Sequence, residues 1–245
     1  MCHAPIVIPA IGGERGADCL ATTQAMARAA AHIVDSAPPW VVVLSPHTPR
    51  HRTHWAVVQG VTVGGSFAPF GHGELRLELP NAARRLVAAL EGVPLAGVAQ
   101  QPLDHGALVP LWFLAQAGWS GPTAVLGVPW ENTDAAAIGQ ALARTDAAVV
   151  ASGDMSHRLL PGAPAGHHPR AADFDRSFVD ALRAGDLDGA IHPDPTLREL
   201  AAEDVVDTTA VLCGALGPRV HVDVLAYEGP FGVGYCEAIF PCEAP

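Results

Sequence analysis

Short uncharged runs alternate with Ala-rich amphipathic stretches from one end of the chain to the other. Residues 40–44, Trp-Val-Val-Val-Leu, are apolar at every position, which predicts a central strand covered on both faces. Residues 5–10 read as a first strand and 17–36 as a long helix, stopped by Pro38 and Pro39. The same patterns predict strands at 54–63, 74–79, 94–99, 123–128, 147–151, 220–226 and 232–240; the strand at 74–79 alternates polar and apolar, so one of its faces is exposed. Helices are predicted from Asn81, a capping residue, to 91, and at 108–117, 134–144, 171–184 and about 195–216. A polar loop spans 153–169. Strand and helix alternating throughout imply an α/β fold, one layered domain with a central, mostly buried sheet and helices on both faces. No repeat, linker or composition break divides residues 1–245, so a single catalytic domain is expected.

Composition narrows the function classes. Hydrophobic residues make up 49% of the 245 and charged residues 16%, enough apolar surface for a core without a partner. The net charge of -11 excludes a nucleic-acid partner, whose binding needs a basic footprint; the 14 basic residues, all Arg, form no stripe. Apolar runs are far too short to span a bilayer, and residues 1–9 lack the basic region of a secretory signal, so no membrane role is expected. Five cysteines without a CxxC pair do not make a disulfide framework, and the cytoplasm is the expected setting.

Twelve histidines are the oddity, and four fall beside predicted strand ends, where α/β sheets gather ligands. His3 precedes the first strand, His47 follows the strand at 40–44, and His157 follows the strand at 147–151. His105 lies in a Leu103-Asp104-His105-Gly106 turn, where Gly106 is read as letting the backbone bend so that the imidazole faces a pocket. Any one of these is ordinarily a loop histidine; four at equivalent places suggest a shared site. His54 and His72 are read as possible lining of its mouth and the others as surface residues. Two histidines and one carboxylate suit Fe(II), and Glu203 and Glu228 both stand out as carboxylates outside the histidine-bearing turns. The first equally fits a helix first turn and the second a loop, and pattern alone does not choose between them.

Five motifs then occur in order: Cys2-His-Ala-Pro5, Leu44-Ser-Pro-His-Thr48, Leu103-Asp-His-Gly106 with Val109-Pro-Leu111, Gly153-Asp-Met-Ser-His157, and Tyr227-Glu-Gly-Pro-Phe-Gly-Val-Gly-Tyr235. Together they resemble the class III extradiol ring-cleavage dioxygenases, the superfamily of the catalytic subunit of protocatechuate 4,5-dioxygenase, over nearly the whole chain. The resemblance implies a ferrous ion held by His3, His47 and a Glu ahead of a Gly-Ala-Leu segment. Gly214-Ala215-Leu216 places that Glu at Glu203, with Asp204 and Asp207 within one helical turn of it. It further implies that His157 is the acid/base histidine and His105 a second pocket histidine, with Glu228, Asp154 and Asp104 binding substrate or orienting the ligands. The implied reaction opens a catechol-type or aminophenol-type ring with O2, with Fe(II) as cofactor and Zn2+ as a metal that purification could leave in its place. No fused lid is expected, so the loops at 66–73 and 159–169 are the expected covers, and Arg50 and Arg52 are candidates for a substrate carboxylate. Homodimers are common among enzymes of this kind, though no segment marks an interface.

Two other readings share the motifs. Memo-like proteins, more distant relatives, keep part of the metal site without an established dioxygenase role, and a Cys stands at their carboxylate position where this chain has Glu203. A zinc hydrolase would also use two histidines, a carboxylate and an open water, but it has less need of two extra pocket histidines.

Overall fold

The computed structural model describes residues 1–99 and 102–240. In chain order the strands are β1 (Trp40–Ser45), β2 (Trp55–Val58), β3 (Thr62–Phe67), β4 (His72–Pro80), β5 (Leu95–Val98), β6 (Thr123–Gly127), β7 (Ala147–Ala151), β8 (Asp223–Glu228) and β9 (Tyr235–Ile239). The helices are α1 (Pro9–Gly12), α2 (Leu20–Asp35), α3 (Ala83–Ala89), α4 (His105–Gln116), α5 (Ala135–Leu142), α6 (Ala171–Arg183), α7 (Leu187–Ile191), α8 (Pro195–Ala201) and α9 (Val206–Leu216). Five strands form the central sheet in the order β5-β2-β6-β1-β7. It is mostly parallel: β1 runs parallel to β6 and β7, and β2 to β5, while β2 meets β6 antiparallel. β3 with β4, and β8 with β9, form separate two-stranded ribbons.

β1, apolar from Trp40 to Leu44, is buried along its whole length, and its alternation assigns each side chain to a layer. Val41 and Val43 pack with Met26 and Ala30 of α2 and with Leu108 and Leu111 of α4. Trp40, Val42 and Leu44 face Leu86 of α3, Ile138 of α5 and Val211 of α9 on the other side. α5 and α9 cross so closely that a Cβ at Gly139 would overlap the Val211 carbonyl oxygen, and one at Gly214 would overlap the Ala136 backbone. A third apolar cluster joins α6 to Ala201, Val206 and Met155. Among the described residues no helix is long and apolar enough to cross a membrane.

Several elements differ from the sequence reading. Residues 5–10 are not a strand: Pro5 opens a 3-10 turn and Pro9 opens α1, each in the first helical turn where a missing N–H costs nothing. The strand at 54–63 is two strands, parted at Gly60, whose φ of 124° no side-chain-bearing residue adopts readily. The long helix at 195–216 breaks between α8 and α9, where Ala202 takes a left-handed φ of 54°. His105 is not in a turn but begins α4, which Asp104 caps by accepting from the Ala107 amide. Gly106 is accordingly helical, and its value is close approach, since a Cβ there would overlap Ser45 Oγ and press on the His47 ring. The short helix α7 was not anticipated. Four cysteines are unpaired thiols, and Cys242 lies outside the described residues.

Candidate metal centre

Parallel strands β1 and β7 end at the same edge of the sheet, and the chain start is laid against that edge. The Met1 amino group donates to Ala151 O at 2.9 Å, and the His3 amide donates to Asp154 Oδ1 at 2.9 Å. This brings His3 beside His47, which follows β1: the two Nε2 atoms are 3.1 Å apart. His105 completes a group of three imidazoles whose ligand atoms lie within 4.8 Å of one another, a set that could hold a metal ion. The His105 ring centroid is 4.2 Å from that of His47 and 5.3 Å from that of His3.

The supporting bonds explain why the rings meet. Asp104 accepts from Ser45 Oγ and Thr48 Oγ1, both at 2.8 Å, and caps α4, so one carboxylate ties the loop bearing His47 to the helix bearing His105. Ser152 Oγ donates its only proton to Gly106 O at 2.6 Å, so it accepts from His3 Nδ1, 3.1 Å away. That fixes His3 as the Nδ1–H tautomer, with the Nε2 lone pair facing the cluster. His3 is buried, whereas the His47 side chain keeps 35% of its exposure, so solvent reaches the group from the His47 side.

The carboxylate in this group is Asp204. Its Oδ2 lies 3.5 Å from His3 Nε2 and 3.3 Å from His47 Nε2, while Oδ1 accepts from the Asp154 amide at 2.7 Å. Burial alone would raise its pKa, but His3 and His47 outweigh burial and hold the carboxyl down at about 2. For His47, burial opposes protonation, yet the hydrogen bond and charge of Asp204 prevail and raise it. Burial and the two neighbouring imidazoles push His105 down to about 4, leaving it neutral at physiological pH. Asp154 also lies near His3, Oδ2 to Nε2 3.6 Å, but its own burial raises it.

Glu203 points elsewhere. Its Oε1 accepts from Arg198 Nε at 2.5 Å, and its Oε2 accepts from the Val206 amide at 2.8 Å, capping α9. Both oxygens are engaged away from the histidines. Asp207 likewise pairs with Arg198 and Arg50. Glu228 accepts from Thr22 N at 2.6 Å and Thr22 Oγ1 at 2.7 Å, securing the first turn of α2 instead of approaching the cluster. Sequence reasoning named Asp204 only as a neighbour of the chosen Glu, and Ser152 not at all. No glycine or proline signals the break that turns Asp204 inward.

His157 follows β7 in the loop that also carries Asp154. Its amide donates to Ala201 O at 2.9 Å, and its Nδ1 is buried without a hydrogen-bond partner among the described residues. The tip between β3 and β4 sets Phe70 edge-on to His105, ring centroids 5.8 Å apart, so the segment expected as a cover does reach the cluster. Arg50 stacks on Trp130 at 4.1 Å and bonds Pro129 O, and Arg52 pairs with Glu131 at the surface. His54 and His72 bond Thr53 and Glu74 on exposed ground.

Three comparisons bear on this site. The family model of the catalytic LigB subunit of aromatic ring-opening dioxygenase matches residues 1–238. Protein CA_C1420 of Clostridium acetobutylicum is 26% identical over 258 residues, covering 95% of this chain and 54% of that protein. The chain therefore spans about half the length of this curated relative. The crystal structure of the uncharacterized protein JW3007 from Escherichia coli K12 superposes with a TM-score of 0.59 at 20% identity, covering 86% of this chain and 91% of that one, a likeness of fold.

Proposed function

The chain belongs to the family of the catalytic LigB subunit of aromatic ring-opening dioxygenase, and from that premise we propose that it is a non-haem, Fe(II)-dependent extradiol dioxygenase. Its substrate is a catechol-type or aminophenol-type aromatic, opened with O2 next to the diol. The observation that carries this reading is the meeting of His3 Nε2, His47 Nε2 and Asp204 Oδ2 within 3.1 to 3.5 Å of one another. Two imidazoles and a carboxylate on one side of an ion are the donor set of non-haem ferrous oxygenases. A ferrous ion there would supply the one-electron chemistry toward O2 that side chains lack.

The chain's own groups divide the remaining work. His3 is held in the tautomer that offers its lone pair, and Asp204 stays ionised. His157, with a buried ring nitrogen that bonds no group among the described residues, takes the phenolic proton and later returns it. His105 is neutral and lies against Phe70, where it hydrogen-bonds the substrate under that aromatic cover. The four unpaired cysteines suit a reducing cytoplasm as the setting.

A second reading has one specific observation in its favour. His105 lies close enough to His3 and His47 to make a three-nitrogen set, which also suits Zn2+ in a hydrolase. Anaerobic reconstitution with Fe(II), followed by a panel of catechols and aminophenols, separates the two. Yellow ring-fission products with matched O2 uptake are expected. Retained Zn2+, no O2 uptake on any member of the panel and hydrolysis of an ester probe would overturn the dioxygenase reading. Replacing His157 by Ala should spare metal binding and lower turnover by roughly 10²–10⁴-fold.

A further inference from the structure

A cavity of about 1240 Å³ forms a slot beside β7, separate from the histidine cluster. All of Ala147, Ala148, Val149, Val150 and Ala151 border it. Side chains of a strand alternate between two faces, so five consecutive residues on one wall mean that the wall is the strand's edge. Among the described residues β7 ends the sheet and pairs, as a strand, only with β1. The slot is also bordered by Cys236, Ala238 and Ile239 of β9, which among the described residues pairs only with β8. Ile33 of α2 borders it, as do Leu212 of α9 and Phe178 of α6, from the helices that cover the two faces of the sheet and its extension.

The backbone specifies what fits. Ser152 N donates to Leu44 O, so even-numbered residues of β7 turn their amides to β1 and odd-numbered ones turn theirs to the slot. At the top of the slot Met1 N donates to Ala151 O at 2.9 Å and Gly153 N donates to Met1 O at 3.2 Å. That bond pair is one rung of a parallel ladder, with Met1 in register on the outer edge of β7. Further down, the outward Ala151 N–H, both amide groups of Val149 and the Ala147 C=O meet no partner among the described residues. Beyond Met1 the two sides already touch, since Met155 N donates to Gly234 O and Gly234 N to Ser156 O, both at 2.9 Å. Sheet and ribbon are thus joined at one end and part around the slot, with Met1 at the apex.

We propose that the slot is the seat of one more strand, an apolar extended segment joined to the Met1 amino group and running parallel to β7. Its rungs would satisfy the free amides of Val149 and Ala151, and its other edge would pair with β9, making sheet and ribbon one continuous layer. Covered on both faces, it would be an uncharged run rich in Val, Ile and Ala, about five or six residues long to match β7. Because His3 follows Met1 by two residues, this strand would also anchor the chain leading into the histidine cluster.

Three forms of the protein test this: the 245-residue chain, the same chain with a six-residue Val/Ile/Ala extension on Met1, and one with a Gly/Ser extension of equal length. The apolar extension is expected to slow amide hydrogen exchange at Val149 and Ala151 by at least tenfold and to raise Tm by several degrees; the Gly/Ser extension should do neither. Equal exchange in all three forms would overturn the proposal. So would equal protection by the free apolar hexapeptide at equimolar concentration, which would make the occupant a separate chain. Protection that grows with concentration of the unextended protein, with a dimer by light scattering, would assign the slot to a second copy instead.

Discussion

Glu203 is bonded to Arg198 and to the Val206 amide, whereas Asp204, the next residue, accepts from the Asp154 amide and faces two imidazoles. Their exchange should therefore have different effects. Asp204→Asn is expected to weaken Fe(II) or Zn2+ binding by at least tenfold with little change in Tm, measured by metal titration and thermal melting. Glu203→Gln should keep metal affinity within a few-fold but cost about 2 kcal/mol of stability, because a buried ion pair loses one partner. The reverse pattern would return the ligand role to Glu203. Asp175 makes a prediction of its own. Burial raises it from 3.8 to about 6 although Ser156 N and Tyr227 Oη donate to it. Below pH 4 both folded and unfolded chains hold this proton; between about 4 and 6 only the folded chain holds it, so stability falls as pH rises and then levels off. Asp175→Asn should remove that slope, on the order of 1–3 kcal/mol, in denaturation curves taken from pH 4 to 7. At this scale His47 was legible because it follows the end of β1, whereas His3 was named for a strand at 5–10 that is a pair of helical turns, and it meets His47 because the chain start bonds the end of β7. The side chain that faces the imidazoles is one residue from the Glu the motifs pointed to, since which acidic side chain turns inward depends on the backbone at Ala202, and no residue type there announces it.

The break between α8 and α9 is the element that aims Asp204. Ala202 holds a left-handed φ of 54°, which a glycine adopts freely and a β-branched residue resists. Ala202→Gly should therefore leave stability unchanged or raise it by up to about 1 kcal/mol, while Ala202→Val should lower both Tm and metal affinity, because it displaces the turn that leads into Asp204. The crossing of α5 with α9 is as unforgiving: Gly139→Ala should cost about 1–3 kcal/mol in chemical denaturation, there being no room for a methyl against the Val211 carbonyl. Elements with a strong period were readable in advance. β1 and β7 announce themselves by uninterrupted apolar residues, and α2 by its alanines. Residues 5–10 misled because an apolar run of that length suits a strand or a short buried helix alike, and Pro5 with Pro9 decides for helical turns.

For the whole molecule, alternation of strand and helix foretold an α/β sheet covered on both faces, and that is what is found. The antiparallel meeting of β2 with β6 was not foreseeable, because strand partners far apart in sequence leave no local trace. If the centre holds an ion, removing it should lower stability in proportion to its concentration: at a hundred times Kd the bound metal contributes about 2.7 kcal/mol, and a chelator should bring Tm down accordingly. No change in Tm on chelation of a metal-loaded sample would argue that the centre is empty in solution. The four groups of the centre come from residues 3, 47, 105 and 204, so three of them leave the ribosome long before the fourth. During synthesis the nascent chain has imidazoles but no carboxylate in place, and closing the set means bridging most of the polypeptide. Closing the full set should thus be a late step that waits for Asp204 to emerge, and the metal available at that moment would decide how much of the protein is filled.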